Sequence, residues 1–304
     1  MTVAFDRDRV TKSAALLRDE RVQLAPAAWS GRGWEPAHRE IAELCATPPT
    51  DIAGVLTRLT AAQKIFDGLP PKNGNNRVAA FNSLYFTITD RVAKSLSGRD
   101  VKDPVFLELL DVEFAKRYFD ALRRWGADDD ATPDAWEVLF RRARSLEVSK
   151  LTAAMLGVNA HINHDLALAL VATWERTGAP TDEVIHPDYL LINDIFFEEI
   201  PSLRRRYSTA WQLRIDHLVG NLDDWSQRVL VSATRAHAWD QAQRLWQLRE
   251  DSDDLARAKL LMDRASALLG EALIGTDGIV NRIGAMLRVL RNSVRGLLSR
   301  LTGR

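Results

Sequence analysis

Apolar residues recur at three- and four-residue spacing along most of this chain, and sustained apolar–polar alternation is absent. The first period lines one face of an α-helix, whereas alternation would mark strands. The pattern predicts helices over roughly 77–97, 104–125, 134–145, 149–176, 187–200, 203–221, 225–250 and 252–274. Ahead of them, "TDIAGVLTRLTAAQKIF" opens the compact part, with Thr50 or Asp51 as N-cap, and "GLPPKNGNN" is a loop. Gly98, Gly126 and Gly178 fall just past helix ends, while Pro104, Pro187 and Pro201 mark boundaries. Residues 1–49 are expected to form an N-terminal leader: a short helix near Lys12–Val22, a stretch punctuated by Pro26, Gly31, Gly33 and Pro36, and a second helix closed by Pro48-Pro49. No repeat is present. The expected fold is all-α, a single multi-helix bundle over 50–275 around a buried central helix at 149–176.

Composition changes this picture little. With 46% hydrophobic and 27% charged residues, the chain is not globally disordered, and its 304 residues allow a large core. Several of the nine tryptophans fall on helix faces, as large core fillers do. The single cysteine, Cys45, excludes a disulfide framework and a cysteine-based zinc cluster. "MTVAFDRDRV" lacks the apolar segment of a signal peptide, and no uncharged apolar run reaches the ~20 residues that span a bilayer. A soluble, cytoplasmic setting is therefore expected.

Charge matters more at the C-terminus. The formal net charge is zero, but six arginines and no acid follow Asp277, which leaves the rest of the chain at −6. In residues 279–304, Ile279, Ile283, Met286, Leu287 and Leu290 share a face, with arginines opposite. Such a basic amphipathic helix, expected over 276–304, suits an anionic membrane surface, a partner protein, or the acidic body of its own chain.

The central helix carries the unusual chemistry. Within 151–174 the only formal charge is Asp165, yet "LGVNAHINHDLALAL" holds two histidines and two asparagines. His161, His164 and Asp165 share one face, and Asn159 and Asn163 lie nearly opposite. Apolar residues fill the remainder, so the helix has no solvated side and its polar groups need partners. Other apolar helix faces supply them: Asp111 in "FLELLDVEFAKRYF", Asn193 and Asp194 in "DYLLINDIFFEEI", Arg235 and Trp239 in "RVLVSATRAHAWDQAQRLW". Two readings follow. Buried Asp–His and Asp–Arg pairs can simply fix helix register. Alternatively the residues enclose a polar cavity that binds a small molecule, with His161 as acid–base group, Asp165 orienting it, Arg235 anchoring an anionic group, and Asp111, Asn159, Asn193, Asp194 and Trp239 contacting substrate.

"FNSLYFTITDRV", "DPVFLELLDVEFAKRYFDAL", "LGVNAHINHDLALAL", "DYLLINDIF" and "AHAWDQAQRLWQLRE" occur in this order. Together they resemble an actinobacterial all-helical family catalogued as domain of unknown function 5995, with a signature of the type G-[IV]-N-A-H-[IV]-x-x-D-L. The resemblance covers about residues 50–275. It implies a helical fold and a focal signature helix, with Asn159, His161 and Asp165 at signature positions and Asn193-Asp194 and Trp239 in later motifs. "SATRAHAW" departs from the family's usual "ERARDGAW", so His237 is less secure as a family feature than Trp239. No activity comes with the resemblance.

Three chemistries compete. His161 with Asp165 or His164 offers two metal ligands on one face, and His164-Asp165 matches the dipeptide of helical metal phosphohydrolases, but the further histidine those need has only His38 to supply it. Terpenoid cyclisation needs D-D-x-x-[DE], which Asp128-Asp129, Asp223-Asp224 and Asp253-Asp254 all fail. "DSDD" at 251–254 spells a D-x-D-D protonation motif, but sits between helices, where Ser252 or Asp253 reads as an N-cap. Metal-free acid–base chemistry on His161–Asp165 needs nothing the chain lacks. No nucleophile elbow, phosphate loop or dinucleotide fingerprint occurs, and no basic aromatic surface suggests nucleic acid. The expectation is a small-molecule-binding helical protein doing metal-free acid–base chemistry of cyclase, lyase or isomerase type, its cofactor unknown. The alternatives are a metal-dependent hydrolase and a non-catalytic scaffold or membrane-associated interaction protein.

Overall fold

Asp51, Asn76, Asp103 and Ser149 each turn a side-chain oxygen onto a backbone N–H two or three residues ahead and so start a helix. Each satisfies a donor that has no partner within its own helix. The computed structural model of the chain describes residues 35–69, 76–96, 98, 101–180, 185–207 and 221–275, and all regular structure among them is helical. The elements are α1 (Glu35–Leu44), α2 (Ile52–Gly68), α3 (Arg77–Ser95), α4 (Pro104–Gly126), α5 (Asp134–Phe140), α6 (Lys150–Ala160), α7 (Leu166–Thr177), α8 (Pro187–Tyr207), α9 (Asn221–Gln247) and α10 (252–275). A five-residue π turn, His161–Asp165, joins α6 to α7.

The segment α6–π–α7 is the expected central helix, and it is buried. It packs against α3, α4, α5, α8 and α9. Trp174 of α7 is fully buried, and Trp136, Trp239, Tyr118, Tyr189 and Phe81 are fully or almost fully buried around the segment. Gly157 sets the closest approach. A Cβ there would lie 2.2 Å from Cγ and 2.7 Å from Cβ of Phe81, so α3 can sit against α6 only because position 157 has no side chain.

Four expectations about the elements change. The central helix is interrupted, since the Leu166 N–H reaches back five residues to the His161 carbonyl. The helix expected over 134–145 stops at Phe140 and closes in three-residue turns, after which the Ala143 carbonyl accepts the Arg77 N–H at the start of α3. Pro201 does not end a helix, because α8 runs through it. Contacts to α3 on both sides hold the helix despite the missing N–H: Arg91 pairs with Glu198 and Glu199, and beyond the proline Tyr207 donates to the Ala80 carbonyl. Finally, the leader expected over 1–49 is not loose throughout. In α1, Ile41 is fully buried, and the backbone at His38 and Ala42 presses on Gly126 of α4. The Lys12–Val22 helix and the 276–304 tail lie outside the described residues.

The "DSDD" motif is a cap, but Asp251 makes it, accepting the Asp253 and Asp254 N–H groups at the start of α10. Among the described residues, no helix is long and apolar enough to cross a membrane.

Candidate functional site

Asp165 is 1% exposed and its carboxylate accepts three hydrogen bonds. Oδ2 takes Trp136 Nε1–H at 3.0 Å and faces His161 Nδ1 at 3.0 Å; Oδ1 faces His164 Nδ1 at 2.8 Å. His161 and His164, four and one positions before Asp165 in the π turn, thus converge on the same carboxylate. Burial alone would raise the Asp165 pKa, but its two histidine partners outweigh that and hold it below the ordinary carboxylate value. An ionised carboxylate only accepts, so both imidazoles donate from Nδ1.

The two rings are shifted in opposite directions. Burial lowers the His161 pKa more than Asp165 raises it, and the Arg235 charge adds to the lowering. For His164 the balance is reversed: burial opposes protonation, but Asp165 and then Asp263, 3.9 Å from Nε2, hold the pKa above the ordinary value. At pH 6.5 these directions favour an imidazolium at His164 and a neutral imidazole at His161, on either side of the Asp165 carboxylate. The Phe114 ring lies parallel to His161, 3.4 Å between centroids, and Tyr85 stands edge-on at 4.5 Å.

His161 Nε2 carries the free lone pair of that neutral ring. It has no hydrogen-bond partner among the described residues, and His161 lines a cavity of about 50 Å³. The cavity is largely apolar, walled by Phe81, Leu84 and Ile88 of α3, Leu110 of α4, Leu166 of α7 and Phe196 of α8. Asp111 and Arg235 also reach it, and each keeps a buried polar atom without a partner, Asp111 Oδ2 and Arg235 Nε. Burial, and then the Glu108 charge, push the Asp111 carboxyl up to about 7. Arg235 Nη2 donates to the Tyr189 carbonyl at 2.9 Å, its guanidinium lies 4.3 Å from the centre of the Tyr189 ring, and Tyr189 Oη donates back to the Arg235 carbonyl at 2.6 Å.

Of the residues expected to share a polar cavity, the structure brings together His161, Asp111 and Arg235, with Asp165 behind His161. The others sit elsewhere. Asn159 Nδ2 donates to the Ser266 carbonyl and its Oδ1 accepts from Asn163, tying α6 to α10 on the opposite face. Asn193 is buried but does not line the cavity, and Asp194 is exposed, because the apolar face of α8 at that level belongs to Ile192 and Phe196. Trp239 packs edge-on against Trp174 and tilted against Tyr189, its Nε1–H without a partner. Sequence reasoning missed Trp136, Phe114, Tyr85 and Asp263. The adjacent aromatics of "NSLYF" were the only local signal. Cys45 is buried, and burial pushes its thiol up to about 12, so it is a poor nucleophile.

Among the described residues, no group of three or more His, Cys, Asp or Glu side chains is placed to hold a metal ion. Both Nδ1 atoms face Asp165, while His161 Nε2 belongs to the cavity and His164 Nε2 looks toward Asp263. The molecule is an all-helical bundle whose central helix opens into a π turn, where a His–Asp–His set backs an apolar cavity. The chain belongs to the family of unknown function DUF5995, whose match covers residues 52–276. No curated protein and no solved structure matches it.

Proposed function

We propose that the protein binds a small, largely apolar molecule in this cavity and acts on it by proton transfer at His161. The observation that carries the reading is the His161 ring, whose Nδ1 end is fixed by Asp165 while its Nε2 end is buried, unpaired and turned toward apolar walls. A network built only for stability leaves few buried groups unsatisfied, since each costs about 1–3 kcal/mol. Among the described residues around this cavity four side chains are left so, Tyr85, Asp111, His161 and Arg235, which is the cost of holding groups for a ligand.

The roles follow from the charges. His161 takes a proton at Nε2, and the adjacent Asp165 carboxylate stabilises the imidazolium that forms. Asp111, mostly protonated below about pH 7, can return a proton from its own side of the cavity. Removal at one atom and return at another is the chemistry of isomerases, lyases and cyclases. Asp165 is a positioning residue.

Calorimetric titration of the full chain with 1-hexanol tests the binding half, since that probe offers an apolar chain and one hydroxyl for Nε2. One saturable site that also raises Tm is expected, because a ligand selective for the folded state stabilises it. No saturable heat and no rise in Tm would overturn the reading.

A further inference from the structure

Arg235 is a buried charge that the fold does not explain. It is 3% exposed, and among the described residues no carboxylate pairs with it. Buried arginines are ordinarily paired, because a guanidinium removed from water costs several kcal/mol unless an anion compensates it. Here burial lowers the Arg235 pKa and only Tyr189 opposes that. The group is nevertheless held firmly by its Nη2 bond to the Tyr189 carbonyl, its stacking on the Tyr189 ring and the return bond from Tyr189 Oη. A fixed, unpaired guanidinium edge at an apolar cavity is preorganised for an anion.

We infer that the ligand is an apolar carboxylate whose head group pairs with Arg235 beside His161 and whose hydrocarbon part lies along Phe114, Ile192 and Phe196. This rests on the reading of the cavity as a binding site and adds the class of ligand. The cavity is only about 50 Å³, so it takes a small head group and leaves the hydrocarbon part to its open side. Phe114, Ile192 and Phe196 are the partly exposed members of an otherwise buried lining, so they form the mouth along which an apolar chain would lie. Among the described residues one permanent cation faces the cavity, which matches a monoanion better than a phosphate dianion with three strong acceptor oxygens. Asp111 does not oppose this, since a carboxyl with a pKa near 7 can meet a carboxylate as a neutral donor.

The test is calorimetric titration of the full chain with hexanoate, 1-hexanol, hexylamine and hexyl phosphate, repeated on Arg235→Met and Arg235→Lys. Hexanoate is expected to bind at least tenfold more tightly than 1-hexanol, and hexylamine more weakly than either. Arg235→Met should remove the advantage of hexanoate over 1-hexanol, with Arg235→Lys in between. Should either variant fail to fold, the ranking of probes on the natural chain decides alone. Equal binding of hexanoate and 1-hexanol overturns the carboxylate inference while the cavity reading stands. Tighter binding of hexyl phosphate overturns the choice of head group. If none of the four binds, both the inference and the reading beneath it fall.

Discussion

Asp165 and Asp111 are the same residue type, both buried, and their surroundings give them opposite roles. Asp165 has three donors, and removing its charge breaks a buried pair. Asp165→Asn should therefore lower stability by about 3 kcal/mol or more, measured by denaturant unfolding at neutral pH. Asp111 has an unpaired oxygen and a carboxyl raised to about 7. An acid whose folded pKa is raised loses stability as pH rises from its unfolded value near 4 to its folded value near 7. Over that span ionisation costs the fold roughly 4 kcal/mol. Asp111→Asn removes the cost, so its stability relative to the natural chain should grow by about 2–3 kcal/mol between pH 5 and pH 8. Parallel pH–stability curves for the two proteins would contradict it. Both acids were legible in the sequence as charges on apolar helix faces. Which was paired was not, because the decisive donor, Trp136, comes from a different helix, the short α5, with nothing local to mark it.

At the level of elements, periodicity located the helices because each has one face to bury. It could not show the π turn, since "HINHD" contains no proline or glycine and a single wide turn leaves the apolar spacing nearly intact. Nor could it show that α8 continues through Pro201, which depends on contacts to α3. Gly157 is a further case. Its role is the approach of α3 to α6, and Phe81 cannot rotate away because its own Cβ is among the crowded atoms. Gly157→Ala should cost at least the 1–3 kcal/mol typical of overpacked cores. Phe81→Leu should not rescue it. Full rescue by that second substitution, in thermal melts of the double variant, would show that only the ring is in the way.

For the whole molecule, the all-helical class and the central position of 149–176 were readable because a helix apolar on every side has nowhere else to go. The site was partly readable. Buried polar groups announced His161, Asp165, Asp111 and Arg235, but the same signal drew in Asn159, which ties two helices together, and Asp194, which faces solvent. Side-chain direction around a helix cannot be resolved from spacing alone at such mixed positions. α1 lies outside the family match at 52–276 and buries Ile41 against the body. Ile41→Ala should cost about 2–5 kcal/mol, as for other buried aliphatic residues. A change below 0.5 kcal/mol in denaturant unfolding would return α1 to the status of a loose leader.

The central claim is that one imidazole of the pair is neutral and directs its lone pair at the cavity while the other is charged. Nitrogen-15 NMR of histidine-labelled protein at pH 6.5, with resonances assigned through His161 and His164 variants, reads this directly. His161 should be neutral with its proton on Nδ1, and its Nε2 resonance should move when 1-hexanol is added; His164 should be protonated on both nitrogens. A doubly protonated His161, or one with its proton on Nε2, would leave the cavity without a base and contradict the proposed chemistry.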